Sequence, residues 1–145
     1  MEDLILDVTR GNVVEVKVML ASVILALAAY QVVLMAVGYG KVRPPFLGSR
    51  AASFAHRAIG DAIVAVSLVV AVMCIGYAGF EAEEGTRTVV HIVAAIALLC
   101  TLALKVAVVR GWLPLGRFLP PLGGTVFVLF AITWLTSAGS FLADT

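Results

Sequence analysis

The chain has two histidines, His56 and His91, and each stands near the start of a long apolar run. Neutral imidazole is a common axial ligand of haem iron, and the flat macrocycle needs small side chains beside that ligand. Gly60 follows His56 by about one helical turn, and Ala94 and Ala95 follow His91 at a similar distance. These residue types at this spacing predict a candidate haem site around each histidine.

The depths of the two histidines decide whether they can share one iron. Taking Glu84 as the turn between their apolar runs, His56 lies 28 residues before the turn and His91 lies seven after it. At a rise of about 1.5 Å per residue, this difference corresponds to roughly 30 Å along the helix axes. One iron therefore cannot bind both imidazoles of a single chain, and two separate sites are expected at opposite ends of the helices.

Three arrangements complete or replace these sites. In a symmetric homodimer a residue near the two-fold axis meets its own copy, so each histidine would pair with the same histidine of the second chain. Met35 is an alternative sixth ligand, since folding the first apolar run back about Phe46 places it level with His56. Without a cofactor, each histidine is an interfacial side chain that hydrogen-bonds to headgroups or to a helix end.

Cations accompany the first histidine. Arg57 and Lys105 are the candidates for holding haem propionates on the His56 side, because charge-assisted hydrogen bonds to carboxylates are strong. Folding about Glu84 also places Lys105 within about 3 Å of the depth of Asp61. These two residues either form an ion pair, or Lys105 extends to the headgroups while Asp61 faces interfacial water.

The composition requires a membrane to position these residues. Hydrophobic residues make up 62% of the 145, charged residues 13%, and the mean hydropathy is +1.10. A soluble domain of this length could not bury so much apolar surface. Four stretches, at about 18–39, 59–80, 88–109 and 119–142, are each long enough to cross a bilayer as a helix. We predict a single all-α integral membrane domain over residues 1–145, an antiparallel four-helix transmembrane bundle in which short loops make successive helices neighbours.

Lysines and arginines set the predicted orientation. Seven lie in or beside the first and third loops, and three lie on the other side: Lys41, Arg43, Arg50, Arg57, Lys105, Arg110 and Arg117 against Arg10, Lys17 and Arg87. Because positively charged loops stay in the cytoplasm, both termini are expected outside the cell membrane, with His56 on the cytoplasmic side. The net charge of +1 and the lack of a basic stripe exclude nucleic acid as a partner.

The remaining polar residues of the spans are assigned to packing. The cysteines lie inside apolar runs and are predicted to be free thiols, and Trp134 is too deep for a membrane-interface residue. Hydroxyl side chains of the fourth span form a stripe that favours close helix approach: Thr133, Thr136, Ser137 and Ser140.

The chain resembles an uncharacterised family of four-span membrane proteins from actinobacteria in the stretches PPFLGSRAASFAHRAIGDA, LALKVAVVR, LGRFLPPLGG and WLTSAGSF. The resemblance covers most of the chain and implies the four-span topology in a bacterial membrane, but no activity. It makes five positions the ones to test: His56, Arg57, Gly60, His91 and Lys105.

The second and third spans also resemble b561-type cytochromes, where histidines at the starts of successive helices bind haems on opposite sides. Such proteins have a second histidine pair, which this sequence lacks, so the resemblance requires dimerisation.

These observations favour a membrane-embedded b-type cytochrome, or a haem-bearing subunit of a larger redox complex, that transfers electrons across the bilayer. Haem b is the expected cofactor, bound at His56 on one side and His91 on the other. An electron-transfer or anchor role is expected rather than a stand-alone enzyme, because the sequence has no nucleotide-binding motif.

Two other classes of function compete with the cytochrome. One is a non-catalytic structural or assembly subunit of a larger membrane complex, without a cofactor. A transporter is disfavoured, because broken helices with paired carboxylates near the bilayer midplane are not found in the sequence.

Overall fold

The computed structural model describes residues 2–78 and 85–143, and every regular element in these ranges is helical. The elements are α1 (Glu2–Val8), α2 (Val13–Gly38), α3 (Ser49–Ala78), α4 (Thr86–Val109), a 3-10 turn (Gly116–Phe118), α5 (Leu119–Trp134), a π-helical segment (Leu135–Gly139) and α6 (Ser140–Ala143). Four rods are long and apolar enough to cross a membrane, the fourth running from the 3-10 turn through α6. The predicted four-helix, all-α membrane protein is confirmed.

Two helices begin earlier than the apolar runs suggested. The helix α2 begins at Val13, whereas the first predicted span begins near 18. The helix α3 begins at Ser49, whereas the second predicted span begins near 59. Hydropathy marks only the part of a helix that faces lipid, whereas hydrogen bonding continues the helix into polar turns such as the one that carries Arg50. The turn predicted around Glu84 and the last two residues of the second predicted span, 79–80, lie outside the described residues.

Glycines end α2 and α4 at the expected places. Gly40 and Gly111 have φ angles of +69° and +78°, which L side chains rarely adopt. After each of them, an amide donates back into the last turn, Lys41 to the carbonyl of Ala36 and Trp112 to that of Ala107, both at 2.9 Å. These bonds stop the helices by satisfying carbonyls that would otherwise have no partner.

The packing order of the spans differs from their order along the chain. The closest pairs are α2 with α3 and α4 with α5, followed by α2 with α5. Over the described residues α3 and α4 approach each other at most weakly, so the expectation that all successive spans pack as neighbours was wrong for this pair. The two helices therefore leave a gap between them on one side of the bundle, and α2 and α5 lie at the bottom of this gap.

The core lies at mid-bundle, where all four spans contribute buried side chains. Its members are Ile24, Ala28, Ile63, Leu98, Leu102, Val126 and Phe130. A smaller cluster formed by Ile5, Val13 and Met73 attaches α1 to the end of the bundle where α3 finishes. The helix α1, which the sequence analysis did not predict, thereby covers the end of the bundle opposite the start of α3.

The hydroxyl stripe of the fourth span coincides with a change of helix type. Over Leu135–Gly139 the rod is π-helical, and a Cβ on Gly139 would lie 3.1 Å from the ring of Trp134. The indole Nε1–H of Trp134 donates to the Ser22 hydroxyl on α2 at 2.9 Å. The prediction that this tryptophan packs against a neighbouring element is confirmed.

Candidate functional site

A cleft opens where α3 and α4 separate, and we name it the His56 cleft. Its volume is about 650 Å³, and α2, α3, α4 and α5 all contribute to its lining. The apolar part of the lining includes Leu34, Ile63, Leu102, Phe127 and Phe130. A cleft of this size and character lies within the range of small-molecule and cofactor sites.

The side chain of Gln31 contacts the backbone of His56 on the wall of the cleft. Gln31 of α2, which is 8% exposed, donates from Nε2 to the main-chain carbonyl of His56 at 2.8 Å. The imidazole of His56 is half-buried, and its Nδ1 atom is buried without a hydrogen-bond partner, as is Oε1 of Gln31. His56 nevertheless lines the cleft, so the rest of its side chain is available there.

Positive charge surrounds this imidazole. The lining includes Arg57, Lys105 and Arg110, with Asp61 as the accompanying acid. The Asp61 carboxylate lies 3.7 Å from the Arg110 guanidinium, and the two side chains are 74% and 61% exposed. Such an exposed pair contributes between zero and about 1 kcal/mol to stability.

The sequence suggested an ion pair between Asp61 and Lys105, but in the structure Asp61 pairs with Arg110. The guanidinium, at the end of α4, is long enough to reach across the opening to Asp61. Lys105 lines the cleft with Arg57, so both cations named from the sequence lie beside His56, and Arg110 adds a third.

Gly60 lines the cleft on α3, one turn after His56. A Cβ at this position would lie 3.7 Å from Nε2 of Gln31, which is an ordinary contact distance. Gly60 therefore borders both the cleft and the amide that bonds to His56. Met35 also lines the cleft, with its sulfur 3.9 Å from the Cβ position of Gly123 on α5. The predicted common level of Met35 and His56 is confirmed.

His91 lies at the other end of the bundle, as the depth count predicted. Its Nδ1 shares a hydrogen bond with the Thr136 hydroxyl in the π-helical segment, at 3.1 Å. The same hydroxyl is 2.8 Å from the carbonyl of Ile132. His91 lines neither the His56 cleft nor the second groove, which lies between α2 and α5 beside Trp134 and has a volume of about 410 Å³. The structure therefore does not bring the two histidines together.

A family model described as a family of unknown function, DUF6529, matches residues 5–145. The chain belongs to the DUF6529 family. No curated protein and no solved structure matches it.

The sequence analysis gave this DUF6529 chain no role for Gln31. A glutamine inside a long apolar helix is costly to bury in lipid, and that cost is the signal that marks a functional candidate. Within the described ranges no cluster of three or more His, Cys, Asp or Glu side chains could hold a metal ion. Both cysteines are free thiols, as predicted.

We expect Thr136→Val to weaken the packing of α4 on the fourth rod of the DUF6529 protein. The substitution keeps the shape of the side chain but removes the hydroxyl that pairs with His91. Hydrogen bonds between membrane helices contribute about 0.6 kcal/mol on average, and that loss should be measurable by unfolding in mixed SDS micelles. Ser137→Ala is the control, since its exposed hydroxyl bonds only to the Thr133 carbonyl of its own rod. Equal losses in both variants would contradict a stabilising role for the His91 contact.

Proposed function

We propose that this protein is a haem-bearing membrane subunit for electron transfer, with haem b in the His56 cleft. The observation that carries the proposal is His56, which lines a cleft of about 650 Å³ while its Nδ1 is buried in the wall. Histidine is a common axial ligand of haem iron, and the apolar lining suits the face of the macrocycle. When bound, the haem supplies one-electron redox chemistry.

The charges around the cleft fit the polar edge of haem. Haem carries two propionates, and Arg57 and Lys105 line the same cleft as His56. Arg110 is a third cation, partly neutralised by Asp61. These side chains would hold the propionates by charge-assisted hydrogen bonds and fix the orientation of the ring plane.

Two side chains could supply a second ligand to the haem iron. Met35 belongs to the same chain and lines the same cleft, and a thioether ligand raises the haem potential. His56 of a second copy would instead complete a bis-histidine site in a homodimer. A haem at His91, as b561-type spacing implies, would need a surface from a second chain, because His91 lines neither of the two cavities described above.

The proposal includes an orientation in the bacterial cell membrane. Four apolar helices support a bilayer environment, and the lysine and arginine excess at the end that carries the His56 cleft would keep this end in the cytoplasm. Electrons would then enter or leave through a partner protein docked at the cytoplasmic face. The protein would act as the membrane subunit of a redox complex rather than as an enzyme by itself.

The test is the visible spectrum of the purified protein. We expect a reduced-minus-oxidised difference spectrum with the bands of a b-type haem. The pyridine haemochrome assay should give about one haem per chain if Met35 is the second ligand, and about half a haem per chain if two copies share one haem through His56. A colourless preparation from haem-replete cells, which also binds no haem when titrated with hemin, would overturn the proposal. That outcome would favour the alternative, a structural or assembly subunit without a cofactor.

A further inference from the structure

Gln31 is a polar residue whose hydrogen-bonding groups meet one residue of the neighbouring helix. It stands on α2 among buried apolar residues such as Ala28 and Leu34, and it is itself more than nine-tenths buried. Its amide nitrogen donates to the His56 carbonyl on α3 at 2.8 Å. The imidazole of His56 in turn lies close to the main-chain carbonyl of Gln31, so these two residues contact each other at both their side chains and their backbones.

Two buried atoms at this contact have complementary needs. Oε1 of Gln31 can only accept a hydrogen bond, and Nδ1 of a neutral imidazole can donate one; both atoms are buried without a partner. Leaving such atoms unpaired in a low-dielectric interior costs free energy, so buried polar groups are nearly always satisfied. The terminal amide torsion of glutamine is soft, so Oε1 can change its direction while the rest of the side chain stays in place.

We propose that Gln31 is the positioning residue of His56: its Oε1 accepts a hydrogen bond from Nδ1–H and thereby presents the lone pair of Nε2 to the cleft. The bond fixes both the tautomer and the rotation of the ring. Ligating histidines are commonly held in this way by an acceptor on their other nitrogen. The inference rests on the proposed function only for what Nε2 binds, because the tautomer is a property of the protein alone.

The other groups around the ring leave one rival acceptor. Lys105 and Arg57, which line the cleft beside His56, are donors only and cannot accept from Nδ1–H. The ring also lies close to the main-chain carbonyl of Gln31. That carbonyl belongs to the interior of α2, where it already accepts the amide of the residue four positions on. Substitution of the Gln31 side chain separates the two acceptors, because it leaves the main-chain carbonyl in place.

The tautomer can be read directly by nuclear magnetic resonance. The full chain, labelled with ¹⁵N-histidine and purified without haem in detergent micelles, contains two imidazoles, and His91→Gln assigns their signals. At about pH 8, above the ordinary imidazole pKa of about 6.5, both rings are expected to be neutral. Long-range ¹H–¹⁵N correlations then distinguish Nδ1–H from Nε2–H, and we expect Nδ1–H for His56.

Variants of Gln31 test whether its side chain keeps the imidazole proton on Nδ1 of His56. Gln31→Met has a similar length without an acceptor, and we expect His56 to change to the Nε2–H tautomer that free histidine prefers. Gln31→Glu keeps the acceptor and should keep Nδ1–H, which guards against a variant that merely misfolds. Ser22→Ala is the control, since it also removes an interhelical hydrogen bond of α2 but lies on the contact with Trp134. Nε2–H in the unmodified protein, or Nδ1–H retained in Gln31→Met, would overturn the proposal.

Haem binding provides a second readout that separates the two proposals. If haem binds, Gln31→Met should weaken its affinity roughly tenfold, as loss of an outer hydrogen bond to a ligating histidine commonly does. Gln31→Glu should lower the midpoint potential, because a carboxylate makes the imidazole more basic. An Nδ1–H tautomer in a protein that binds no haem would support the Gln31 contact and reject the cytochrome. Haem binding with unchanged affinity and potential in both variants would retain the cytochrome and reject the role of Gln31.

Discussion

Replacing His56 by alanine is expected to abolish haem binding to the cleft. Of the two histidines, His56 is the one that lines the cleft. The sulfur of Met35 alone is a weak ligand for the iron. Apolar contact and the cations would remain, so residual binding should be weak and high-spin in its spectrum. We expect at least a tenfold loss of haem per protein after purification, measured by pyridine haemochrome assay against protein concentration.

Two further variants make the result specific to the iron ligand. His91→Ala removes the other imidazole of the chain, which hydrogen-bonds to Thr136 away from the cleft, and it should retain the haem. His56→Gly leaves room for free imidazole, which should restore the low-spin spectrum when added to the variant. Haem retained in His56→Ala would contradict the assigned ligand. Loss of about half of the haem in each of the two variants would point to separate sites at the two histidines, as in a two-haem dimer.

Replacing Leu34 by alanine is expected to give the largest loss of stability among single substitutions in α2. The side chain is 0% exposed and packs with Val37 and Ala52 where α2 and α3 meet below the cleft. Leucine-to-alanine changes in soluble cores cost about 2–5 kcal/mol, part of which is transfer of the side chain out of water. Unfolded helices of a membrane protein remain in lipid, so only the lost packing counts, and we expect about 2 kcal/mol.

Reversible unfolding in mixed SDS and dodecylmaltoside micelles measures this loss. The matched control is Leu68→Ala on α3, whose side chain is 54% exposed on the surface of the bundle. Without a packed neighbour to lose, it should change the free energy of unfolding by less than about 0.5 kcal/mol. Similar losses for the two leucines would mean that the contact of α2 with α3 is not the tight interface described here.

The sequence was sufficient for the candidate residues of the cleft but not for their contacts. Depth counting along the chain predicted that His56 and His91 lie at opposite ends and that Met35 is level with His56, because each helical residue adds a constant rise. It named Lys105 as the possible partner of Asp61, whereas the structure pairs Asp61 with Arg110, which lies five residues further along the chain and points in a different direction. The rotation of a helix about its axis, and the reach of each side chain, decide such contacts.

The contacts of Gly60 could not be predicted from the sequence either. A small residue one turn after a histidine is compatible with a flat ring and with a close helix, and the sequence favours neither. In the structure Gly60 lines the cleft and also has its Cβ position 3.7 Å from the amide nitrogen of Gln31, so it borders both the open space and the neighbouring helix. Gln31 itself stood out as a polar residue in an apolar helix, yet its partner belongs to a helix 25 residues away along the chain.

The sequence by itself determined the lipid environment of this protein, its four membrane-crossing helices and the places where α2 and α4 end. These properties are local, because lipid must cover long apolar helices and because a helix ends where its apolar run gives way to turn residues. Only the tertiary structure decided that α3 and α4 separate above α2 and α5, and that a cleft opens beside His56. Nearly uniform apolar surfaces carry little information about which helix faces which, so the order of packing depends on the fit of side chains at each contact.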